Sequence, residues 1–184
     1  MPVDVVDMIM DDHREVERLF NELKNNPDKR PLLMPVMCAL LVAHSRAEES
    51  EVYPVAKKEA GETDEVEHSQ QEHAEAEKLL AELAQADPTS SRYEELLDKV
   101  IESVSHHVEE EESTVLPGMR SRLDGDRLSQ LAKAFASSRA QHLGELPGHA
   151  TKGELLQQAR NAGISGASSM TREQLTKALQ TQSS

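Results

Sequence analysis

The sequence predicts an all-α protein: an antiparallel up-down-up-down four-helix bundle with a fifth short helix and a small C-terminal helix–loop–helix. Three observations carry that expectation. Aromatic residues are only 2% of the 184 residues, while Ala, Leu, Glu, Gln, Arg and Lys abound. This mixture favours helix and gives sheet little support. Apolar residues recur at helical spacing through long segments that Pro and Gly punctuate. Finally, the first two segments recur in altered form as the third and fourth.

The first helix is expected from about Val3 to Asn25, with Val6, Ile9, Val16, Phe20 and Leu23 on one stripe before NNPDKRP ends it. The second opens near Pro31 to Pro35, where a first turn tolerates proline, and runs through His44 towards a stop at Pro54. Gly61 separates it from the third, roughly Glu62 to Ala86. Pro88 and the Ser90–Ser91 cap signal open the fourth, expected to run to about Pro117. Leu128, Leu131 and Phe135 mark the short fifth helix, and LGELPGHA reads as a linker. Long helices joined by short loops give the bundle its alternating direction. The resulting division is residues 1–145 for the bundle and 146–184 for linker and C-terminal module.

The repeat is visible without gaps. Residues 12–23 read DHREVERLFNEL and residues 72–83 read EHAEAEKLLAEL, which aligns His13 with His73, Glu15 with Glu75 and Leu23 with Leu83. Likewise AHSRAEESEVYP, residues 43–54, and HVEEEESTVLP, residues 107–117, each hold His, then Glu four residues on, then Pro ten residues on. The chain is a tandem pair of helical hairpins, which implies an approximate two-fold axis along the bundle.

Charge and composition narrow the function. The net charge is −14, of which residues 151–184 contribute +2, so the first 150 residues carry −16. An acidic body of that size disfavours nucleic-acid binding through its own surface. The opening MPVDVVDM shows no secretory signal, and no stretch approaches the roughly 20 apolar residues of a membrane span. The lone Cys38 reads as a small buried hydrophobe in a reducing compartment, so a cytoplasmic location is expected.

The chemistry lies on the inward faces. At about 100° per residue, His13 shares its stripe with Val6, Ile9, Val16, Phe20 and Leu23, and His73 shares its own with Val66, Ala76, Leu80 and Leu83. His44 and Glu48 face inward together, as do His107 and Glu111. Buried imidazoles and carboxylates cost several kcal/mol unless hydrogen-bonded, paired or bound to metal. No inward Lys or Arg is at hand to neutralise Glu48 and Glu111. Four imidazoles with two carboxylates suit a pair of cations. Nitrogen and oxygen donors without thiolate fit iron or manganese, with zinc behind. An inward histidine taken singly is more often a hydrogen-bonded core residue; the repeated register is what favours metal. Glu65–His68 alone has the Glu-x-x-His spacing of ferritin-like iron oxidation, which is therefore set aside.

The order H…HxxxE…H…HxxxE, closing on EExxxYP and EExxVLP, resembles the hemerythrin family, specifically its HHE cation-binding branch, over residues 3 to about 120. The resemblance implies an oxo-bridged non-haem di-iron centre, with His13 and His44 on one iron, His73 and His107 on the other, and Glu48 and Glu111 bridging. Oxygen carriers of the family place two histidines four apart on the third helix. Here Ser69 and Glu77 stand four residues either side of His73. His68 reaches the metal only through a helix distortion, since it lies about 140° off the stripe, and is otherwise a solvated surface residue. Glu112 lies equally far from His107, so Glu111 is the expected ligand. His106, Glu49 and Glu110 are assigned to a solvated face. Tyr53 would supply a phenolate if the helix unwinds before Pro54.

This more symmetric ligand set implies open positions on both irons. That suits handling of O2, peroxide or NO, including catalase-like turnover, rather than reversible oxygen carriage. The alternative is a non-catalytic iron or oxygen sensor, or a storage protein, signalling through its C-terminal module.

That module, TKGELLQQARNAGISGASSMTREQLTKALQ, opens each helix on a capping box, Thr151 with Glu154 and Thr171 with Gln174. Gly163 suits the C-terminal cap of the first helix, and Leu155, Leu156 and Ile164 are expected to pack on Met170, Leu175 and Leu179. It resembles SAP and Rho N-terminal-like modules, which implies that nucleic acid, if contacted at all, is contacted through residues 151–180. The blander reading is a protein-contact or oligomerisation role.

Overall fold

The computed structural model describes residues 3–182, and all regular structure among them is helical. Helix α1 (Val5–Asn25) begins at Asp4, whose carboxylate accepts from the Asp7 N–H at 2.8 Å. That cap satisfies one of the free donors of the first turn. Helix α2 (Arg30–Ala47) carries Pro31 in its first turn and Pro35 within.

The second rod does not stop at Pro54. It continues through a π-helical turn (Glu48–Val52), the single turn α3 (Tyr53–Val55) and a second π-helical turn (Ala56–Ala60). Proline offers no N–H to the carbonyl four residues back and crowds it. A wider turn, in which the Tyr53 N–H reaches back five residues to the Glu48 carbonyl, absorbs that defect. It also rotates the following residues, Tyr53 among them.

The rod ends at Gly61, in left-handed conformation with φ 74°. A side chain there is strained by about 1–2 kcal/mol, and an added Cβ would stand 2.8 Å from the Arg122 guanidinium, which donates to the Ala60 carbonyl. Gly61→Ala is therefore expected to lower the melting temperature by roughly 2–8 °C in a calorimetric scan.

Helix α4 (Thr63–Gln85) and α5 (Ser91–Ser113) form the second hairpin, with the Ser90 hydroxyl capping α5. Pro117 is no terminator either: it lies in the first turn of α6 (Val115–Arg122), where its missing N–H leaves no bond unmade. Helix α7 (Gly125–His142) has 18 residues rather than being short. Its apolar stripe of Leu128, Leu131, Ala132 and Phe135 is prolonged by polar contacts, including Ser138 on Ser50 at 3.1 Å.

Around the bundle α1 packs on α2 and α5, and α4 packs on α2 and α5, closing a ring of four; α7 covers α1 and α2. The interior divides into two apolar clusters. One runs from Val16, Phe20 and Leu23 to Leu80, Leu96 and Val104. The other holds Val5, Ile9, Tyr53, Val66, Val115, Leu116 and Phe135. Between them lies a buried polar layer: His13, His44, Glu48, His73, His107 and Glu111.

Helices α8 (Lys152–Asn161) and α9 (Arg172–Thr181) carry both predicted capping boxes, and Gly163 has φ 70°. Leu155, Leu175 and Leu179 are buried, with Leu156, Ile164 and Met170 against them. The pair is not detached. It lies on α4 and on the first π-helical turn, and Lys57 of the second donates to the Asn161 carbonyl at 3.0 Å. No helix among the described residues is long and apolar enough to cross a membrane.

Candidate metal centre

Each helix of the ring brings one imidazole to the polar layer. His13 comes from α1, His44 from α2, His73 from α4 and His107 from α5; Glu48 stands at the start of the π-helical turn and Glu111 near the end of α5. The two carboxylates span pairs of imidazoles. Glu48 Oε2 is 3.2 Å from His44 Nε2 and 3.3 Å from His73 Nε2. Glu111 Oε2 is 3.4 Å from His13 Nε2 and 3.8 Å from His107 Nε2. His73 and His107 bring their Nε2 atoms within 3.1 Å of each other. Two triads follow, His13–His44–Glu48 and Glu48–His73–His107, sharing Glu48; the donor atoms of each lie within 4.8 Å of one another.

Several of these atoms have no hydrogen-bond partner: His13 Nε2, His44 Nε2, and both oxygens of Glu48 and of Glu111. Buried polar atoms left in that state cost about 1–3 kcal/mol each. Six such atoms facing one another form a donor set that could hold metal cations. Among the described residues no side-chain cation serves. The buried Arg46 is committed to Glu49, Glu77 and Glu145 at 3.2, 2.6 and 3.0 Å.

The electrostatics agree. Burial pushes the His44 imidazole down, but the Glu48 and Asp12 carboxylates outweigh it and bring it up to about 10. His73 likewise reaches about 10 against its burial, through Glu48 and Glu49. Burial raises Glu48, yet His44 and His73 hold it well below the ordinary carboxylate range. Protons therefore supply the positive charge that this layer demands when no metal does. The donor set of nitrogen and oxygen suits iron or manganese. Cys38 takes no part: it sits in the first apolar cluster, where burial raises its thiol to about 11.

Every one of the four imidazoles is also held from behind. His44 Nδ1 lies 3.1 Å from Asp12, His107 Nδ1 2.9 Å from Glu72, His13 Nδ1 2.8 Å from Glu112, and His73 Nδ1 3.1 Å from Glu49. Such outer carboxylates fix the tautomer so that Nε2 points at the metal, and they raise its basicity.

The Hemerythrin HHE cation binding domain family matches residues 4–118. The chain belongs to that family. As a hemerythrin HHE domain it binds metal cations. A hemerythrin-like protein of Schizosaccharomyces pombe is 27% identical over 135 residues, 71% of this chain and 66% of that one. A DNA nickase of Nostoc sp. is 30% identical over 151 residues, 81% of this chain. The chain spans only 43% of the nickase's length. The crystal structure of a hemerythrin HHE cation binding domain-containing protein from Mycobacterium kansasii shares the fold, with TM-score 0.68 at 19% identity. That likeness covers 96% of this chain and 99% of the other, so it extends beyond residue 118 into the C-terminal helices. None of these comparisons supports the SAP or Rho N-terminal likeness. Short amphipathic helix pairs with capping boxes are common, and this one is an extension of the hemerythrin-like fold.

Against this layout three sequence assignments change. His68 does not reach the buried layer. Its side chain is 55% exposed and pairs with Glu110 at 2.9 Å, because the helix runs undistorted there. Glu49, expected on a solvated face, is 3% exposed. The π-helical turn and α8 enclose it, with Gln158, Gln70 and Arg46 donating to its oxygens. Tyr53 is fully buried, and its hydroxyl lies 3.0 Å from His73 Nε2. The π-helical turn does this by setting Tyr53 one wide turn above Glu48. The helix is widened there, not unwound. The outer carboxylates have their sequence signal in the repeat: acid before His at Asp12 and Glu72, and a second acid after Glu48 and Glu111.

Proposed function

We propose that the protein is a non-haem di-iron protein that handles O2, peroxide or NO and decomposes peroxide in a catalase-like turnover. One observation carries the reading: two triads of buried donors share Glu48, and the Nε2 atoms of His13 and His44 and both Glu48 oxygens have no hydrogen-bond partner. In this assignment His13 and His44 hold one iron, His73 and His107 the other, and Glu48 and Glu111 bridge. Manganese is the second choice, since the same donors suit it. Bound there, an iron pair supplies two-electron redox chemistry.

The chain's own residues supply the rest. The outer carboxylates keep the imidazoles aimed inward. The Tyr53 phenol, pushed well above 10 by burial and by Glu111 and Glu48, keeps its proton, and so can donate a hydrogen bond beside His73. Phe135 seats its ring edge-on to His44 at 5.7 Å and helps keep water out. A narrow crevice between α2 and α4, lined by Leu41, Val42, Ala76 and Leu80, leads to His73.

The test is oxygen evolution from hydrogen peroxide by the iron-loaded protein. Turnover well above that of His13→Ala is the expected result. Absence of that difference removes the enzymatic reading and leaves binding, sensing or storage. A sensing role has one observation in its favour: Gln158 and Asn161 of α8 bond the Glu49 side chain and carbonyl at 2.9 Å, and Glu49 holds His73. The nickase relative does not carry DNA cleavage over, because the match spans under half of that protein and this chain has net charge −14.

A further inference from the structure

A second group of ligand-type side chains lies on the outer surface where α4 and α5 meet. His68 and Glu72 stand one turn apart on α4; His106 and Glu110 stand one turn apart on α5. The antiparallel helices set the two pairs face to face. His68 Nε2 is 2.9 Å from Glu110 Oε2 and 3.4 Å from Glu72 Oε1, while His106 Nε2 is 3.3 Å from Glu110 Oε1 and 3.5 Å from Glu72 Oε1. One donor atom from each of the four lies within 4.8 Å of every other. We propose that these four residues form a second, solvent-facing site for a single divalent transition-metal cation of the Zn2+ or Fe2+ class.

The spacing fits such an ion. Nitrogen and oxygen ligands at about 2.0–2.1 Å in a tetrahedron have edges of about 3.3–3.4 Å, and the three contacts made by Glu72 Oε1 and Glu110 Oε1, at 3.4, 3.5 and 3.3 Å, fall close to that. Two neutral imidazoles with two carboxylates give a site whose charge a divalent cation cancels. The donors are too rich in nitrogen for calcium or magnesium, which take oxygen ligands.

Glu72 supplies an independent sign. Its carboxylate is nine-tenths buried although both histidines are more than half exposed. Its Oε2 is taken up by His107 Nδ1 at 2.9 Å, but its Oε1, turned towards His68 and His106, has no hydrogen-bond partner. Ordinary surface ion pairs leave no buried oxygen orphaned, and exposed pairs of that kind hold little on their own. A cation between the two imidazoles completes Glu72. The surface site and the interior would then share one carboxylate, an oxygen each.

Titrating the iron-loaded full-length protein with Co2+, whose visible bands report low-symmetry nitrogen–oxygen coordination, tests the site. One equivalent should bind beyond the iron already present and be displaced by Zn2+. His68→Ala and His106→Ala should each weaken it by about tenfold or more, and the double variant should abolish it with iron content and iron absorption unchanged. Both side chains are exposed, so folding is not at risk. His142→Ala, in the separate group of His142, Glu145 and Glu154, should change nothing. No cobalt bound beyond the iron, or the same cobalt bound by the double variant, overturns the proposal. The difference between wild type and double variant reads the surface site whether or not the interior holds iron.

Discussion

Removing the metal with a chelator should lower the melting temperature by roughly 5–10 °C, and Glu48→Gln should abolish that sensitivity. A ligand present at about a hundred times its dissociation constant adds about 2.7 kcal/mol to the folded state, and each kcal/mol moves the midpoint by about 2–4 °C for a domain of this size. Glu48 is the residue to change because both triads contain it. Its Oε2 stands 3.2 and 3.3 Å from imidazoles on two different helices, so neutralising it weakens both cation positions at once. Glutamine keeps the side chain's size and removes its charge, which separates loss of metal from loss of packing. Iron content by elemental analysis should fall about tenfold or more, while the far-ultraviolet circular dichroism of the metal-free variant stays that of a helical bundle. A variant that keeps its iron and its chelator-sensitive midpoint would show that Glu48 is a structural carboxylate and not a ligand.

The inward set was readable from the sequence because helical periodicity fixes direction. His13 lies between Ile9 and Val16 on a stripe that must be buried, and His44 puts Glu48 on its own face one turn later. Those arguments use one helix at a time. The outer carboxylates require two. Asp12 and Glu49 each follow or precede a ligand by one residue, so a single helix wheel turns them about 100° away from it, towards what reads as solvent. Only the neighbouring helix, carrying His44 or His73, makes that flank an interior. The π-helical turn was hidden for a related reason. Pro54 announces a defect, but whether the rod ends or widens depends on α7 and α8 packing around it, as the contacts of Ser138 on Ser50 and Asn161 on the Glu49 carbonyl show. For His68 the wheel argument held and the proposed distortion did not occur. Residue spacing placed the C-terminal helices and their caps. Their docking depended on Gln158 and Asn161, polar residues whose burial no periodicity reveals.

Glu49→Ala is expected to be the most damaging single change outside the proposed ligands. Glu49 receives hydrogen bonds from Gln70 at 3.1 Å, Gln158 at 2.9 Å and Arg46 at 3.2 Å, and it sits 3.1 Å from His73 Nδ1. Burial raises its carboxyl, yet Arg46 and His73 bring it down to about 2, so it is charged at neutral pH. Deleting one partner of a buried ion pair costs about 3–5 kcal/mol. Arg46 keeps Glu77 and Glu145, which puts the loss near the lower end, about 3 kcal/mol, or roughly 6–12 °C in melting temperature. The same change frees His73 to rotate, so iron affinity should fall by about 10–100-fold. Gln158→Ala separates the two effects. It removes one donor from α8 and leaves Arg46, Gln70 and His73 in place, so stability should drop by only about 1 kcal/mol with iron affinity unchanged. Should Gln158→Ala instead shift the iron absorption bands as Glu49→Ala does, the C-terminal helices tune the centre through Glu49, and the sensing role gains over turnover.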